Sequence, residues 1–90
     1  MKTILISYDL QTPGKDYVNL WEHLRSYGNY AKLLESMWLL RTYLSAEQVR
    51  DNAIKYIDQN DKIFVVDVTK QEYAWYRLPT KIYEWMGYLL

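Results

Sequence analysis

The residue with the most chemical promise in this 90-residue chain is Asp9, which closes an apolar run near its start. Residues 3–10 are almost continuously apolar and rich in β-branched types, which predicts a buried strand with both faces covered. A carboxylate held at the carboxyl end of such a strand stands where ligands and metals tend to bind. The alternative is that Asp9 only caps a turn into the loop at residues 11–14.

Asp9 as a metal ligand needs partners, because hard cations take several oxygen ligands and one carboxylate per chain is few. A twofold axis would supply a second Asp9, and water molecules would complete the shell. Two such carboxylates holding one Mg²⁺ or Mn²⁺ could position a water molecule against a phosphodiester. The sequence leaves open whether Asp9 is catalytic or structural.

Other reactive residue types have simpler interpretations. Asp67 ends a second apolar run and is expected to pair with Arg41 on the sheet surface. His23 is the only histidine, and its position favours a solvated helix face. Trp75 and Tyr76 could stack on nucleic-acid bases, although we favour packing under the last helix. The sequence has no Gly-rich phosphate loop and no Ser-His-Asp set.

Composition sets broad limits on function. The chain has 50% hydrophobic residues and a net charge of +0, so we expect one globular domain over residues 1–90 whose bulk charge does not favour nucleic acid. No apolar run approaches the ~20 residues that span a bilayer, so no membrane partner is expected. The absence of cysteine and of a signal-peptide pattern at the start favours the cytoplasm. Aromatic residues make up 17%, which suggests an interface with a partner.

The first half of the chain predicts a helix followed by two strands. Apolar residues recur at helical spacing over residues 16–27, and Gly28 follows in the place of a left-handed cap. Trp21 lies on the apolar stripe of this helix and is expected to be buried. Glu35-Ser36 divides the next apolar stretch, which predicts strands over residues 30–34 and 37–43. One long bent strand is the alternative.

The second half predicts a helix, a strand and a last helix. Ser45 with Gln48 forms a capping box, and an apolar stripe follows to about residue 58. Residues 62–69 form the second strongly apolar strand. Pro79 and Thr80 begin a short C-terminal helix.

This order, β-α-β-β-α-β with an extra C-terminal helix, is the split βαβ pattern of the ferredoxin-like fold, an α+β antiparallel sheet. We expect both main helices on one face and the first and last strands adjacent and central. Alternation then places Asp9 and Leu5 on the open face. That face needs cover, which either the last helix or a second copy of the chain could supply.

Several motifs resemble the small bacterial SinR-like proteins, which look like distant relatives of the CRISPR-associated Cas-two family and the VapD toxins. The matching segments cover most of the chain and are Ile6-Ser7-Tyr8-Asp9-Leu10, Pro13-Gly14-Lys15-Asp16-Tyr17, residues 24–28, Ser36-Met37-Trp38, Ser45-Ala46, Arg50-Asp51 and Asn60-Asp61.

This resemblance implies a ferredoxin-like homodimer in which Asp9 faces its twin across the dimer axis and is associated with a divalent metal. Ser36 matches a serine that precedes an apolar-aromatic pair in those relatives. With Lys15 and Arg41, Ser36 is our candidate for contact with RNA or DNA. Two functions follow as hypotheses: a metal-dependent endonuclease or endoribonuclease, and a non-catalytic dimeric binding or regulatory module on the same sheet.

Overall fold

The computed structural model describes residues 1–11 and 17–87, except for the side chains of Tyr83 and Met86. The protein is a small α+β fold with a four-stranded antiparallel sheet and three α-helices. The elements in chain order are β1 (Lys2–Asp9), α1 (Val18–Arg25), β2 (Tyr30–Leu34), β3 (Met37–Thr42), α2 (Ala46–Ala53) with a 3₁₀ turn (Ile54–Tyr56), β4 (Lys62–Asp67) and α3 (Thr80–Gly87).

The sheet has the order β2-β3-β1-β4, and each neighbouring pair is antiparallel. β1 therefore lies inside the sheet and exchanges backbone hydrogen bonds on both sides. The prediction that the first and last strands are adjacent is confirmed. The prediction that both are central is wrong for β4, which is an edge strand. The apolar sequence of β4 predicted a central strand, but Phe64 in its middle is 65% exposed.

One face of the sheet carries the main core. Alternate residues of β1 and β3 meet the inner stripes of α1 and α2 there, as period-2 strands packed under 3.6-period helices require. The fully buried members of this cluster are Ile4, Ile6, Leu20, Leu24, Trp38, Leu40, Val49 and Ala53. Trp21, which we expected to be buried, is only partly so, while Trp38 is 1% exposed.

The turn at Glu35-Ser36 separates β2 from β3, so one long bent strand is excluded. A register shift between Lys32 and Leu34 marks a bulge just before this turn. A bulge lets two successive residues reach the same side of the sheet. Leu33 and Leu34 accordingly both line the open face.

The capping box at the start of α2 is confirmed. Gln48 N–H donates to the Ser45 hydroxyl over 3.1 Å, and Ser45 N–H donates to the Gln48 side chain over 2.9 Å. The α-helix ends at Ala53 and tightens into the 3₁₀ turn, which is earlier than the predicted end near residue 58. α1 is also shorter than predicted at its C-terminus, while its predicted start at Asp16 lies outside the described residues. Gly28 has the predicted left-handed backbone, with φ of 80°.

The chain covers only part of the second face of the sheet, which we call the open face. Residues 68–79, which we call the arm, leave β4 and cross this face to α3. Ile82 of α3 packs on Ala31 and Leu39, and the Trp85 indole N–H donates to the Asn29 side chain over 2.6 Å. The C-terminal helix thus covers its own sheet.

No helix within the described part of the chain is long and apolar enough to cross a bilayer.

Candidate functional site

Asp9 is the last residue of β1 and is exposed. Its register partner in β4 is Lys62, so both side chains point to the open face. The sequence-based assignment of Asp9 to this face is therefore consistent with the observed register. A lysine at the opposite strand position places a positive charge on the same face as the carboxylate.

The part of the open face around Asp9 lies beyond the arm, and we call it the bare half. Leu34 is 54% exposed there and Phe64 is 65% exposed. Ser7 lies between Met37 and Phe64 in register, so a polar strand residue is flanked by apolar ones. The bare half consists of Ser7, Asp9, Leu34, Met37, Lys62 and Phe64.

The described residues show no cluster of metal ligands that includes Asp9. Among residues 1–11 and 17–87, no group of three or more histidine, aspartate or glutamate side chains could hold a metal ion. Asp61, next in sequence to Lys62, is already engaged. Its carboxylate accepts hydrogen bonds from Gln11 N–H at 2.7 Å, Asp58 N–H at 2.7 Å and the Tyr17 hydroxyl at 2.8 Å. Asp61 is a structural clamp that joins the end of β1 to the start of β4.

Two of the three candidate nucleic-acid contacts, Ser36 and Arg41, are not brought together. Ser36 lies in the turn between β2 and β3, and its carbonyl accepts from Tyr8 N–H at 3.0 Å, so it lies at the Asp9 end of β1. Arg41 is the register partner of Thr3, at the opposite end of β1. Six residues of strand place it roughly 20 Å from Asp9. Lys15 lies outside the described residues.

Asp67 does not share the open face with Arg41. Its register partner is Ile4, which belongs to the helix-covered face. The Asp67 carboxylate accepts hydrogen bonds from the backbone N–H and the hydroxyl of Thr69. These bonds lower the pKa of Asp67, with a smaller contribution from Lys2. The expected Asp67–Arg41 pair is replaced by a local turn that begins the arm.

His23 is not the solvated side chain that we expected. Its ring stacks on Tyr56 with centroids 4.8 Å apart and meets the edge of Tyr27 at 5.4 Å. Its Nε2 atom is buried and has no hydrogen bond within the described part of the chain. Burial lowers the pKa of His23, and the positive charge of Lys55 adds to the shift. In the predicted helix, His23 and Tyr27 are four residues apart, and this spacing could have indicated that their rings are in contact.

A groove of about 900 Å³ lies between the arm and the sheet, and sequence reasoning did not predict it. Its floor comes from the sheet and its roof from the arm. Leu34 and Met37 join it to the bare half. Its lining includes Leu5, Leu39, Lys70, Gln71, Glu72 and Tyr76.

The arm aromatics divide into two classes. Tyr73 and Trp75 stack on each other at 5.5 Å and pack with the cluster of Ala31, Leu39 and Ile82, as the packing interpretation expected for Trp75. Tyr76 does not, since it is 79% exposed. The signal for this difference was weak, because three aromatics within four residues cannot be sorted by spacing alone.

The Tyr8 hydroxyl is the polar centre beneath Asp9. The indole N–H groups of Trp21 and Trp38 both donate to it over 3.1 Å, and it donates to the Glu35 carbonyl over 3.3 Å. This arrangement satisfies two tryptophan donors at a single atom and connects the end of β1 to the turn that carries Ser36.

A search of protein-family models found none that matches this chain.

Proposed function

We propose that the protein is a homodimer that binds nucleic acid, with two copies meeting across the bare half of the open face. The sheet would then be a ferredoxin-like sheet of the split βαβ type, as the resemblance to SinR-like proteins implies. The observation that carries the proposed dimer is the apolar surface of Leu34, Met37 and Phe64 around Asp9, while the proposed nucleic-acid binding rests on the resemblance. Exposed apolar groups gathered on one sheet face favour burial against a partner.

A self-complementary twofold contact is the simplest occupant of this surface. It would bring two Asp9 side chains and two Lys62 side chains to one interface, with opposite charges in reach of each other. The function that this surface supports best is a dimeric binding or regulatory module, because exposed apolar side chains favour association and point to no particular reaction.

The test of the dimer is a matched pair of charge substitutions. Light scattering at tens of micromolar should give a dimer mass for the wild type and a monomer mass for Phe64→Glu. Tyr43→Glu is the control, since Tyr43 is 77% exposed but lies after β3, away from the bare half. A monomeric wild type, or equal masses for both variants, would contradict the proposed interface.

A second candidate function is a divalent-metal-dependent endonuclease of the Cas-two or VapD type, which the position of Asp9 beside the bare half favours. Two Asp9 carboxylates across a twofold axis repel each other, so Mg²⁺ or Mn²⁺ would relieve the repulsion and stabilise the dimer.

The metal test compares the wild type with Asp9→Asn, which keeps the shape and removes the charge. Mg²⁺ or Mn²⁺ should raise the melting temperature of the wild type and leave that of Asp9→Asn unchanged. Metal-dependent cleavage of RNA or DNA by the wild type, lost in Asp9→Ala, would establish the enzyme. A metal response that survives in Asp9→Asn would remove Asp9 as the ligand.

A further inference from the structure

The arm contains two strained residues, and both are basic. Lys70 has φ of 57° and Arg77 has φ of 61°, and they are the two residues other than glycine with positive φ in the described part of the chain. Side chains other than glycine rarely adopt this left-handed backbone, because the Cβ atom crowds the following carbonyl oxygen. Such strain concentrates at ligand-binding and active sites, where the surrounding structure enforces it.

Tyr76 lies beside one of these residues. The Arg77 guanidinium lies 4.8 Å from the centroid of the Tyr76 ring, which holds the ring by a cation–π contact. The tyrosine nevertheless remains 79% exposed and lines the groove. The Tyr76 ring therefore has Arg77 beside it and remains exposed enough to stack on a planar group.

The groove suits a flat heterocycle. Its volume of about 900 Å³ is near the upper end of ordinary ligand sites. Apolar residues of the sheet form its floor, and Gln71 and Glu72 provide polar groups that can bond the edge of a base. Lys70 places a positive charge on the same lining, opposite in sign to Glu72.

We propose that the arm binds an unpaired base of a single-stranded nucleic acid. The base enters the groove and stacks against Tyr76, while Lys70 and Arg77 contact the phosphates on either side. This inference rests on the proposed nucleic-acid function and adds the strandedness of the ligand and the site that holds it.

Single strands are favoured over duplexes for two reasons. A duplex keeps its bases stacked on each other, so their faces cannot reach Tyr76. The chain also has a net charge of +0, which gives little general attraction to the denser charge of a duplex. Aromatic stacking with a few phosphate contacts matches single-strand recognition instead.

The experiment measures binding of a fluorescein-labelled eight-nucleotide oligo-dT, an oligo-rU of equal length and a duplex of equal length by fluorescence anisotropy. The wild type should bind the single strands more tightly than the duplex. Tyr76→Ala should weaken single-strand binding roughly 5- to 150-fold. Tyr43→Ala, an equally exposed tyrosine outside the groove, should bind as the wild type does.

The basic residues are tested through salt dependence. Lys70→Gln and Arg77→Gln should each reduce the slope of log affinity against log salt by about 0.7, the value for one phosphate of a single strand. Unchanged slopes in both variants would remove the phosphate contacts from the proposal.

The other outcomes separate this inference from the proposed function. Tyr76→Ala binding as tightly as the wild type, or a preference for duplex, would overturn the stacking site and leave nucleic-acid binding intact. A wild type that binds none of the three probes would overturn both. If Tyr76→Ala has a monomer mass and neither it nor the wild type binds an oligonucleotide, the groove is part of a contact between two copies of the chain.

Discussion

The two faces of the sheet have the same strands but different surroundings. On the helix-covered face, Trp38 and Leu40 are essentially inaccessible, and the Tyr8 hydroxyl meets the indole donors beside them. On the open face, the arm covers Leu39 while Phe64 is left exposed. The helix-covered face holds the main apolar core, and the open face has a groove and a bare apolar surface.

This difference separates stability from interaction. Burial of apolar surface is the dominant favourable term in folding, and it is concentrated where α1 and α2 meet the sheet. An apolar group left in water contributes nothing of that kind until a partner covers it. Changes to the helix-covered face should therefore lower the free energy of unfolding, and changes to the bare half should alter association.

The largest expected effect is that of Trp38→Ala. It removes the largest fully buried side chain and the indole that donates to Tyr8, so the free energy of unfolding should fall by ~3–5 kcal/mol. Chemical denaturation of dilute protein measures this loss.

Phe64→Ala is the matched change on the other face. Under the same dilute conditions it should alter the free energy of unfolding by less than ~0.5 kcal/mol, as exposed substitutions usually do. If Trp38→Ala and Phe64→Ala lowered the free energy of unfolding equally, both faces would contribute alike to stability, which would contradict the proposed difference between them.

Tyr8→Phe gives a smaller effect on the same helix-covered face. It keeps the ring and leaves two indole N–H groups without their acceptor, so we expect a loss of ~1–3 kcal/mol in the free energy of unfolding. Tyr43→Phe, at an exposed position, is the control and should be neutral. A neutral Tyr8→Phe would mean that water replaces the hydroxyl at little cost.

The smallest expected effect is a pH dependence from His23. Its pKa is lowered in the folded protein, so the unfolded chain binds the proton first as the pH falls. The stability from neutral His23 is fully present above the unfolded pKa of about 6.5 and is lost as the pH falls towards the folded value. His23→Phe keeps a ring against Tyr56 and removes the titration.

Denaturation of both proteins between pH 7.5 and 5.5 checks this expectation. The wild type should lose more stability over this interval than His23→Phe loses. If the free energy of unfolding changes equally with pH in both proteins, the imidazole of His23 is hydrated in the folded protein and its titration does not affect stability.

Local signals predicted most of the elements. The Ser45–Gln48 capping box, the break at Glu35-Ser36 and the left-handed Gly28 depend on neighbouring residues, which the sequence displays directly. Helix ends were less well predicted, because the tightening of α2 after Ala53 depends on packing that no local pattern encodes.

Positions across the sheet were harder to predict. β1 and β4 are both strongly apolar, yet one is central and the other lies at an edge. Apolar composition does not distinguish a central strand from an edge strand, since β4 is apolar and yet its Phe64 is 65% exposed. The opposition of Asp9 to Lys62 and the groove beneath the arm both depend on register between distant segments, and the sequence alone does not specify that register.

The central position of β1 also has a consequence for synthesis. β1 is the first of these four strands to leave the ribosome, but its two neighbours are β3 and β4. Its second edge stays unpaired until residue 67 has emerged, so the sheet cannot be completed while much of the chain is still being made. Contacts this distant in sequence slow folding and keep an apolar strand exposed meanwhile.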